Sequence, residues 1–379
     1  MKTTKTLRTG FTTGACAAAA ALGAARMLRE QKRVAAVELW LPAGFSAAFP
    51  LHGQAFDQHS ARCFVIKDAG DDPDVTNGVE VQAEVALVEA DPRVCPSADE
   101  GPVQSGRIKG FGPPEVVIEG GLGIGRVTKK GLAVPVGEWA INPVPRRMIA
   151  EAVLGVFPPH ASPLTPHVVI SIPDGVERAQ RTLNARLGIL GGLSILGTTG
   201  VVTPISHRAW TDTLEVALDV ALAAGLDTVV FSTGRTSEAA AQRALPLPEE
   251  AFVMMGDHVR YALEACRRRG MKNVILAVQF AKLVKIACGH DYTHAAASPL
   301  DLQRLAAWAR ACDLDDDTIK TIEWAGTARE IFNEASPCAA IVAERALTVA
   351  RRRIPAAAVA VLLVGYDGAP PLRFGEWPG

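Results

Sequence analysis

The chain has 379 residues, with 39 Lys+Arg against 40 Asp+Glu, a formal charge of −1, 49% hydrophobic residues and 21% charged. This is the composition of a folded protein with ample core, so it excludes a disordered chain, and the length predicts two domains. The balanced charge excludes a general nucleic-acid or membrane-surface binder, both of which need a basic excess; a local basic pocket remains open.

The first helix signal is Arg8-Thr9-Gly10-Phe11-Thr12-Thr13-Gly14-Ala15-Cys16, hydroxyls and glycines directly before alanines. It is an N-terminal cap signature, and the free N–H groups of the first turn with the Thr12 and Thr13 hydroxyls could also hold an anion. The apolar run Gly14–Leu22 is too short to cross a bilayer and continues into an amphipathic helix, so it is read as neither a membrane span nor a signal peptide. Seven scattered cysteines (Cys16, Cys63, Cys95, Cys266, Cys288, Cys312, Cys338) form no C-x-x-C pair. That usage points to a reducing, cytoplasmic setting and gives no zinc or thiol-redox signal.

Strand-like runs follow at Val34–Leu41, Ala61–Lys67, Val79–Val88 and Pro114–Glu119, then a helix over Pro145–Val156 and an exposed proline-rich connection over 157–166. Strands in succession after one long helix predict an α+β domain with a partly antiparallel sheet. From His167 the rhythm changes. Val168–Ile172, Thr228–Ser232, Val274–Val278 and Ala358–Val364 alternate with helical stretches such as Thr211–Ala224 and Leu302–Ala311. This predicts an α/β domain with a mainly parallel sheet and Rossmann-like layers. The expected division is residues 1–190 and 191–379. Ligands of such sheets bind at the carboxyl ends of strands, here Thr233-Gly234-Arg235-Thr236, Gln279–Lys282 and residues 365–368.

Four loops could carry chemistry. Asp68–Asp74 holds four acids in seven residues but lacks the spacing of a calcium loop; an aspartate-rich turn is the simpler reading, with Asp68 available as a base. Glu119–Gly125 follows a strand with alternating glycines, yet turn and strand residues follow instead of a helix, so the dinucleotide fingerprint fails its own context test. Residues 121–150 carry five basic residues (Arg126, Lys129, Lys130, Arg146, Arg147) against Glu138 alone, which suits either a polyanionic small molecule or a solvated hairpin. Leu187–Gly200 has five glycines in fourteen residues, which favours a ligand cradle over a simple turn. His294 lies where an active-site loop would follow a strand–helix unit. No histidine spacing supports a zinc site, and no protein metal site is expected.

Six segments together resemble the cobalt-precorrin-5B C1-methyltransferase family of anaerobic cobalamin biosynthesis, CbiD. They are Leu7–Cys16, Val65–Thr76, Gly125–Leu132, Pro135–Arg147, Asn184–Gly200 and Thr293-His294, spread from residue 7 to roughly residue 300. The chain departs from the family pattern at Val278–Lys282, where the lysine remains without the glycines, and at Leu122, where an acid is more usual.

The resemblance implies methyl transfer from S-adenosylmethionine to C-1 of a cobalt-bound tetrapyrrole, on a fold unlike that of the common precorrin methyltransferases. Cobalt would enter only as part of the substrate. The expected substrate contacts are Arg8, Thr12, Thr13, Arg126, Lys129, Arg146 and Arg147. Those for the methyl donor are Gly191, Gly192, Gly197, Thr198, Thr199, Gly200, Thr233 and Gly234, with Asp68 or His294 handling protons. The partners expected are the tetrapyrrole, a second copy of the chain packed through alanine-rich helices, and neighbouring pathway enzymes in transient contact. Two alternatives are a non-catalytic corrinoid carrier and a phosphate- or nucleotide-using transferase.

Overall fold

The structure is a computed structural model that describes residues 7–89, 116–158, 164–204, 206–332, 337–366 and 368–378. Cys95, residues 159–163 of the proline-rich connection, Pro114, and Asp367 lie outside the described residues. The chain divides into two compact units, Met1–Ser206 and His207–Gly379. The expected cut after residue 190 is therefore displaced. The reason is pairing: short strands and bridges from residues 189–202 bond back to the first unit, as follows.

In the first unit, β1 (Gly10–Phe11) leads into α1 (Thr13–Glu30), capped by the Thr12 side chain, which accepts from the Ala15 N–H. Gln31, in the left-handed region, closes the helix by donating its N–H to the Met27 carbonyl. Nearly every α1 residue is buried. The small alanine side chains let its backbone approach the sheet closely; a Cβ at Gly23 would stand 2.4 Å from Leu51. Then come β2 (Ala36–Leu41) and β3 (Phe45–Pro50), a hairpin, and β4 (His52–Phe56), β5 (Ser60–Ile66), β6 (Glu80–Glu89) and β7 (Val117–Gly120). They are followed by β8 (Arg126–Val127), α2 (Pro143–Leu154, with Pro143 opening its first turn), β9 (Leu164–Ser171), α3 (Gly175–Ala179), β10 (Ile189–Leu190) and β11 (Val201–Val202).

The main sheet has the order β4-β5-β6-β9-β7, antiparallel except for the β7–β9 pair. β9, which the sequence rhythm groups with the parallel α/β strands although the expected division keeps it in the first domain, belongs to the first sheet. Alternation on β5 buries Ala61, Cys63 and Val65 against α1, and the same inward phase carries Lys67. β1 pairs with β11 and β8 with β10.

The second unit contains α4 (His207–Ala223), β12 (Thr228–Ser232), α5 (Arg235–Ala244), β13 (Phe252–Met254), α6 (Val259–Arg269), β14 (Asn273–Gln279) and α7 (Phe280–Ala287). It continues with α8 (Leu302–Ala311), α9 (Asp316–Trp324), α10 (Ala328–Ile331), α11 (Pro337–Arg353), β15 (Ala358–Val364) and β16 (Leu372–Gly375). Its sheet has the order β13-β12-β14-β15-β16, parallel through β15 with β16 antiparallel at the edge. One face, with Val230, Ile275 and Leu362, packs on Ala241 of α5 and on Leu245 just after it. The other, with Phe231, Leu276 and Val361, packs on α6, α7 and α11. Burial on both faces explains why these strands read as continuous β-branched runs. No helix among the described residues is long and apolar enough to cross a membrane.

Candidate functional site

Each unit brings predicted residues together. In the first, the Leu196–Gly200 loop closes over the start of α1. The Thr13 hydroxyl accepts from the Leu196 N–H at 3.0 Å, and the Gly14 N–H donates to the Leu196 carbonyl at 3.0 Å. Thr12 caps Ala15, its own N–H donates to Gly200, and both threonines are buried. The first-turn N–H groups of residues 14–16 are therefore taken by the chain itself. The expectation of an anion site at Thr12 and Thr13 gives way to the cap.

The glycine-rich loop is likewise occupied by backbone. Gly125 donates to the Leu193 carbonyl and Leu193 donates to Gly123, at 2.9 and 2.8 Å. A Cβ at Gly192 would stand 2.2 Å from the Gly123 carbonyl oxygen, and one at Gly197 2.4 Å from the Thr12 side chain. Thr199 turns back to bond Val201. Gly192, Gly197 and Gly200 thus serve close approach of the chain to itself, at the Gly123 carbonyl, the Thr12 cap and Leu41, and Gly191 alone of these glycines faces open space. Thr198, in the same turn, is exposed.

Arg8 and Asp68 form a two-pronged pair at 2.5 and 2.8 Å, and Gly70 donates to the same carboxylate. The Arg8 hydrogen bonds lead in holding the Asp68 carboxyl down at about 2. Asp68 is therefore ionised and committed to Arg8, which is unsuited to a proton-accepting role. Beneath it, Lys67 is almost wholly buried and donates to Asp74 at 2.6 Å. Burial works to raise the Asp74 carboxyl, but Lys67 and Thr76 together hold it below the usual range. Sequence reasoning passed over Lys67, although its inward phase on β5 marks it.

The basic residues divide into two groups. Lys129 donates to the Arg186 carbonyl at 3.0 Å and Arg146 to that of Ile118 at 3.1 Å, so both hold backbone; burial pushes the half-buried Arg146 down in pKa. Arg126 and Arg147 are exposed. The Arg126 guanidinium lies 3.6 Å over the Trp139 ring and donates to Gly137, beside half-exposed Leu190, its cross-strand partner. This is a flat cationic and apolar platform. A separate cleft of about 540 Å³ between α1 and α2, lined by Arg26, Glu30 and Glu151 among others, has no candidate residue in its lining, although its Glu151 lies 3.8 Å from Arg147.

In the second unit, β12 is followed by α5 on one face and β14 by α7 on the other. Their adjacent carboxyl ends form a topological switch point, where open parallel sheets take ligands. Thr233 and Gly234 lie at the β12 end. Next to them, Asp257, just after β13, accepts from the Thr293 hydroxyl at 2.7 Å and from Lys282 of α7. Lys282 and Lys285 both donate to the Thr293 carbonyl, at 3.0 and 3.1 Å. Burial raises the Asp257 carboxyl, and the Lys282 and Thr293 hydrogen bonds with the Lys282 charge outweigh it. Lys282 thus keeps a defined role without the flanking glycines. It pins the loop that carries His294, which is exposed, accepts from the Ala296 N–H and stacks 6.0 Å from Tyr292. Tyr292 also meets His258 and His207, at 5.0 and 5.2 Å. Sequence reasoning passed over Asp257 and this ring cluster; the acid one turn past the second strand of a strand–helix–strand unit was the available signal.

The CbiD family model matches residues 1–204, and that of the CbiD C-terminal domain residues 292–373. A cobalt-precorrin-5B C(1)-methyltransferase of Geobacter metallireducens is 54% identical over 379 residues, covering 96% of this chain and 98% of its own. Its counterpart in Pelobacter propionicus is 56% identical over 352 residues, covering 86% of this chain and 84% of its own. A crystal structure of the cobalamin biosynthesis protein CbiD from Archaeoglobus fulgidus is 27% identical, covers 80% of this chain and 84% of its own, and superposes with a TM-score of 0.38.

Proposed function

The chain belongs to the CbiD family, and from that premise we propose that it transfers a methyl group from S-adenosylmethionine to C-1 of cobalt-precorrin-5B, giving cobalt-precorrin-6A in anaerobic cobalamin biosynthesis. The observation that carries this reading is likeness at 54% identity over nearly the whole of both chains. The donor supplies an electrophilic sulfonium methyl and the conjugated macrocycle a carbon nucleophile, so the residues have mainly to position, orient and exclude water.

The tetrapyrrole side chains end in carboxylates and its ring is broad and apolar. Exposed Arg126 and Arg147 meet the carboxylates, and the Trp139–Arg126–Leu190 platform takes the ring. Lys129 and Arg146 hold that platform in shape through backbone carbonyls. The donor is assigned to the second unit, which we read as Rossmann-like, rather than to the 191–200 loop, whose glycines are engaged with backbone. Gly234 supports the fit. Its φ of −178° needs no glycine, and a Cβ there would meet nothing within 4 Å, so the turn leaves room for something other than the chain. Asp257 stands about twenty residues on, after the second strand, where such sheets place the acid that accepts from ribose hydroxyls. Lys282 and Thr293 fix its orientation. His294, exposed and beside Tyr292, is the remaining candidate to move a proton.

The test is calorimetry with S-adenosylmethionine and S-adenosylhomocysteine, with and without a cobalt-bound precorrin mixture, followed by mass spectrometry for one added methyl group. Donor binding that tightens with the tetrapyrrole, and a methylated product, are expected. Absence of donor binding in both conditions refutes the methyltransferase reading and leaves a carrier.

A further inference from the structure

Ser232, the last residue of β12, is wholly buried, and its Oγ meets no hydrogen-bond partner. Its backbone is fully engaged: the carbonyl accepts from Met255 and Gly256, at 2.9 and 3.3 Å. The orphan is the hydroxyl alone. Strand alternation places it on the face of Val230, the face covered by α5, two residues before the α5 cap at Gly234. The rest of that turn is already shaped. The Ser237 hydroxyl accepts from the Gly234 N–H at 3.2 Å and donates to the Gly234 carbonyl at 2.9 Å. α5 is ten residues long, and among the described residues no acceptor meets the N–H groups of Arg235 or Thr236 at its start. A buried hydroxyl without a partner is destabilising unless something completes it. Here it lies at a helix N-terminus, beside an exposed arginine and a turn with an open Cβ position. Helix N–H groups, the positive end of the helix dipole and a guanidinium all select an anion.

We propose that the Ser232–Thr236 turn is a carboxylate site that holds the amino-acid end of the methyl donor, with the Ser232 hydroxyl donating one of the hydrogen bonds once the Thr233-Gly234 turn parts to admit it. This inference rests on the donor reading above and deepens it by naming the group that is bound. It also accounts for a buried hydroxyl that meets no partner within the chain: it is held for the ligand.

The full chain is titrated calorimetrically with S-adenosylhomocysteine and with methylthioadenosine, which keeps the nucleoside and lacks the carboxylate. Ser232→Ala should weaken S-adenosylhomocysteine about tenfold, the size of one charge-assisted hydrogen bond, and leave methylthioadenosine within about twofold. The same substitution should raise the melting temperature of the ligand-free chain, because it removes a buried polar group that has no bond to lose. Gly234→Ala, whose methyl enters open space, should weaken S-adenosylhomocysteine without lowering that temperature. Equal weakening of both ligands, no weakening, or a fall in ligand-free melting temperature on Ser232→Ala overturns the carboxylate site. Inorganic phosphate binding more tightly than S-adenosylhomocysteine also overturns it. Failure of the wild-type chain to bind either nucleoside refutes the donor reading, and the inference falls with it.

Discussion

Substituting Gly123 separates a loop built for backbone packing from one built to cradle a ligand. Gly123 has φ +76°, and a Cβ there would stand 1.8 Å from the Ile172 carbonyl oxygen and 3.1 Å from the Gly175 Cα. Neither atom can rotate away, because the Ile172 carbonyl accepts from Gly175, and the Ile172 N–H donates to Leu122, both at 2.8 Å. On its other side the Gly123 carbonyl accepts from Leu193 at 2.8 Å. A left-handed alanine costs about 1–2 kcal/mol, and forcing atoms into a packed interior adds about 1–3 kcal/mol. Gly123→Ala should therefore lose about 3–6 kcal/mol, with loss of one adjoining hydrogen bond of about 1 kcal/mol included. Gly191, at φ +85° with nothing within 4 Å, is the control. Gly191→Ala should lose only about 1 kcal/mol, the backbone contribution. Urea titration followed by far-UV circular dichroism measures both; at a slope of about 2–3 kcal/mol/M the two midpoints should differ by about 1 M or more. A Gly123→Ala loss below about 1 kcal/mol, or equal losses at the two sites, would refute the packing account.

Lys67→Met should lose about 3 kcal/mol by leaving the Asp74 carboxylate without its cation, and the deficit should shrink on acidification as Asp74, whose burial Lys67 no longer offsets, takes a proton, read from urea midpoints across pH. Asp68→Asn should lose no more than about 1 kcal/mol, since the Arg8–Asp68 pair is more than half exposed on the arginine side. In the wild-type chain the Asp68 carboxyl is depressed to about 2, so its contribution is fully present above the unfolded value of about 3.9 and fades as pH falls from there toward 2. A stability gain on acidification through that window would contradict the pairing. Arg126→Ala, measured by tetrapyrrole titration, should weaken the macrocycle about tenfold through loss of one charge-assisted contact and leave S-adenosylhomocysteine affinity unchanged; equal losses would end the division of labour between the two units.

Much of the second unit was readable from local pattern. Thr228–Ser232, Ala358–Val364 and Leu302–Ala311 coincide with β12, β15 and α8, because strands buried on both faces leave short continuous apolar runs and an amphipathic helix leaves a periodic one. β13, three residues long, has too little length to show a period, and β3 and β4 expose alternate residues without a strong apolar phase. β9 reads as one of the parallel α/β strands for a different reason. Its Val168-Val169-Ile170 core reads as a buried strand, but which neighbour pairs with it is a long-range fact, settled here by β6 and β7. The platform cations were visible as a local charge excess. Their division into Arg126 and Arg147 facing out, with Lys129 and Arg146 holding carbonyls, depends on folded geometry alone.

The glycines show where sequence reasoning reaches its limit and what replaces it. A glycine is kept for positive φ, for close approach of the chain to itself, or for close approach of a ligand, and the letters do not distinguish these. Five glycines in fourteen residues favour a cradle at 187–200, and the carboxyl end of a parallel strand favours another at 233–236. At Gly192 and Gly197 a Cβ would strike a carbonyl and a helix cap, so the chain itself accounts for them. At Gly234 neither explanation is available: the backbone is extended, the Cβ position is empty, and the nearest strand ends in a hydroxyl with nothing to bond. On the proposed reading, the poorer glycine signal in the sequence is the one that falls at the ligand site. The same comparison separates Thr12 and Thr13, which cap a helix closed by its own loop, from the start of α5, where the Arg235 and Thr236 N–H groups meet no acceptor among the described residues.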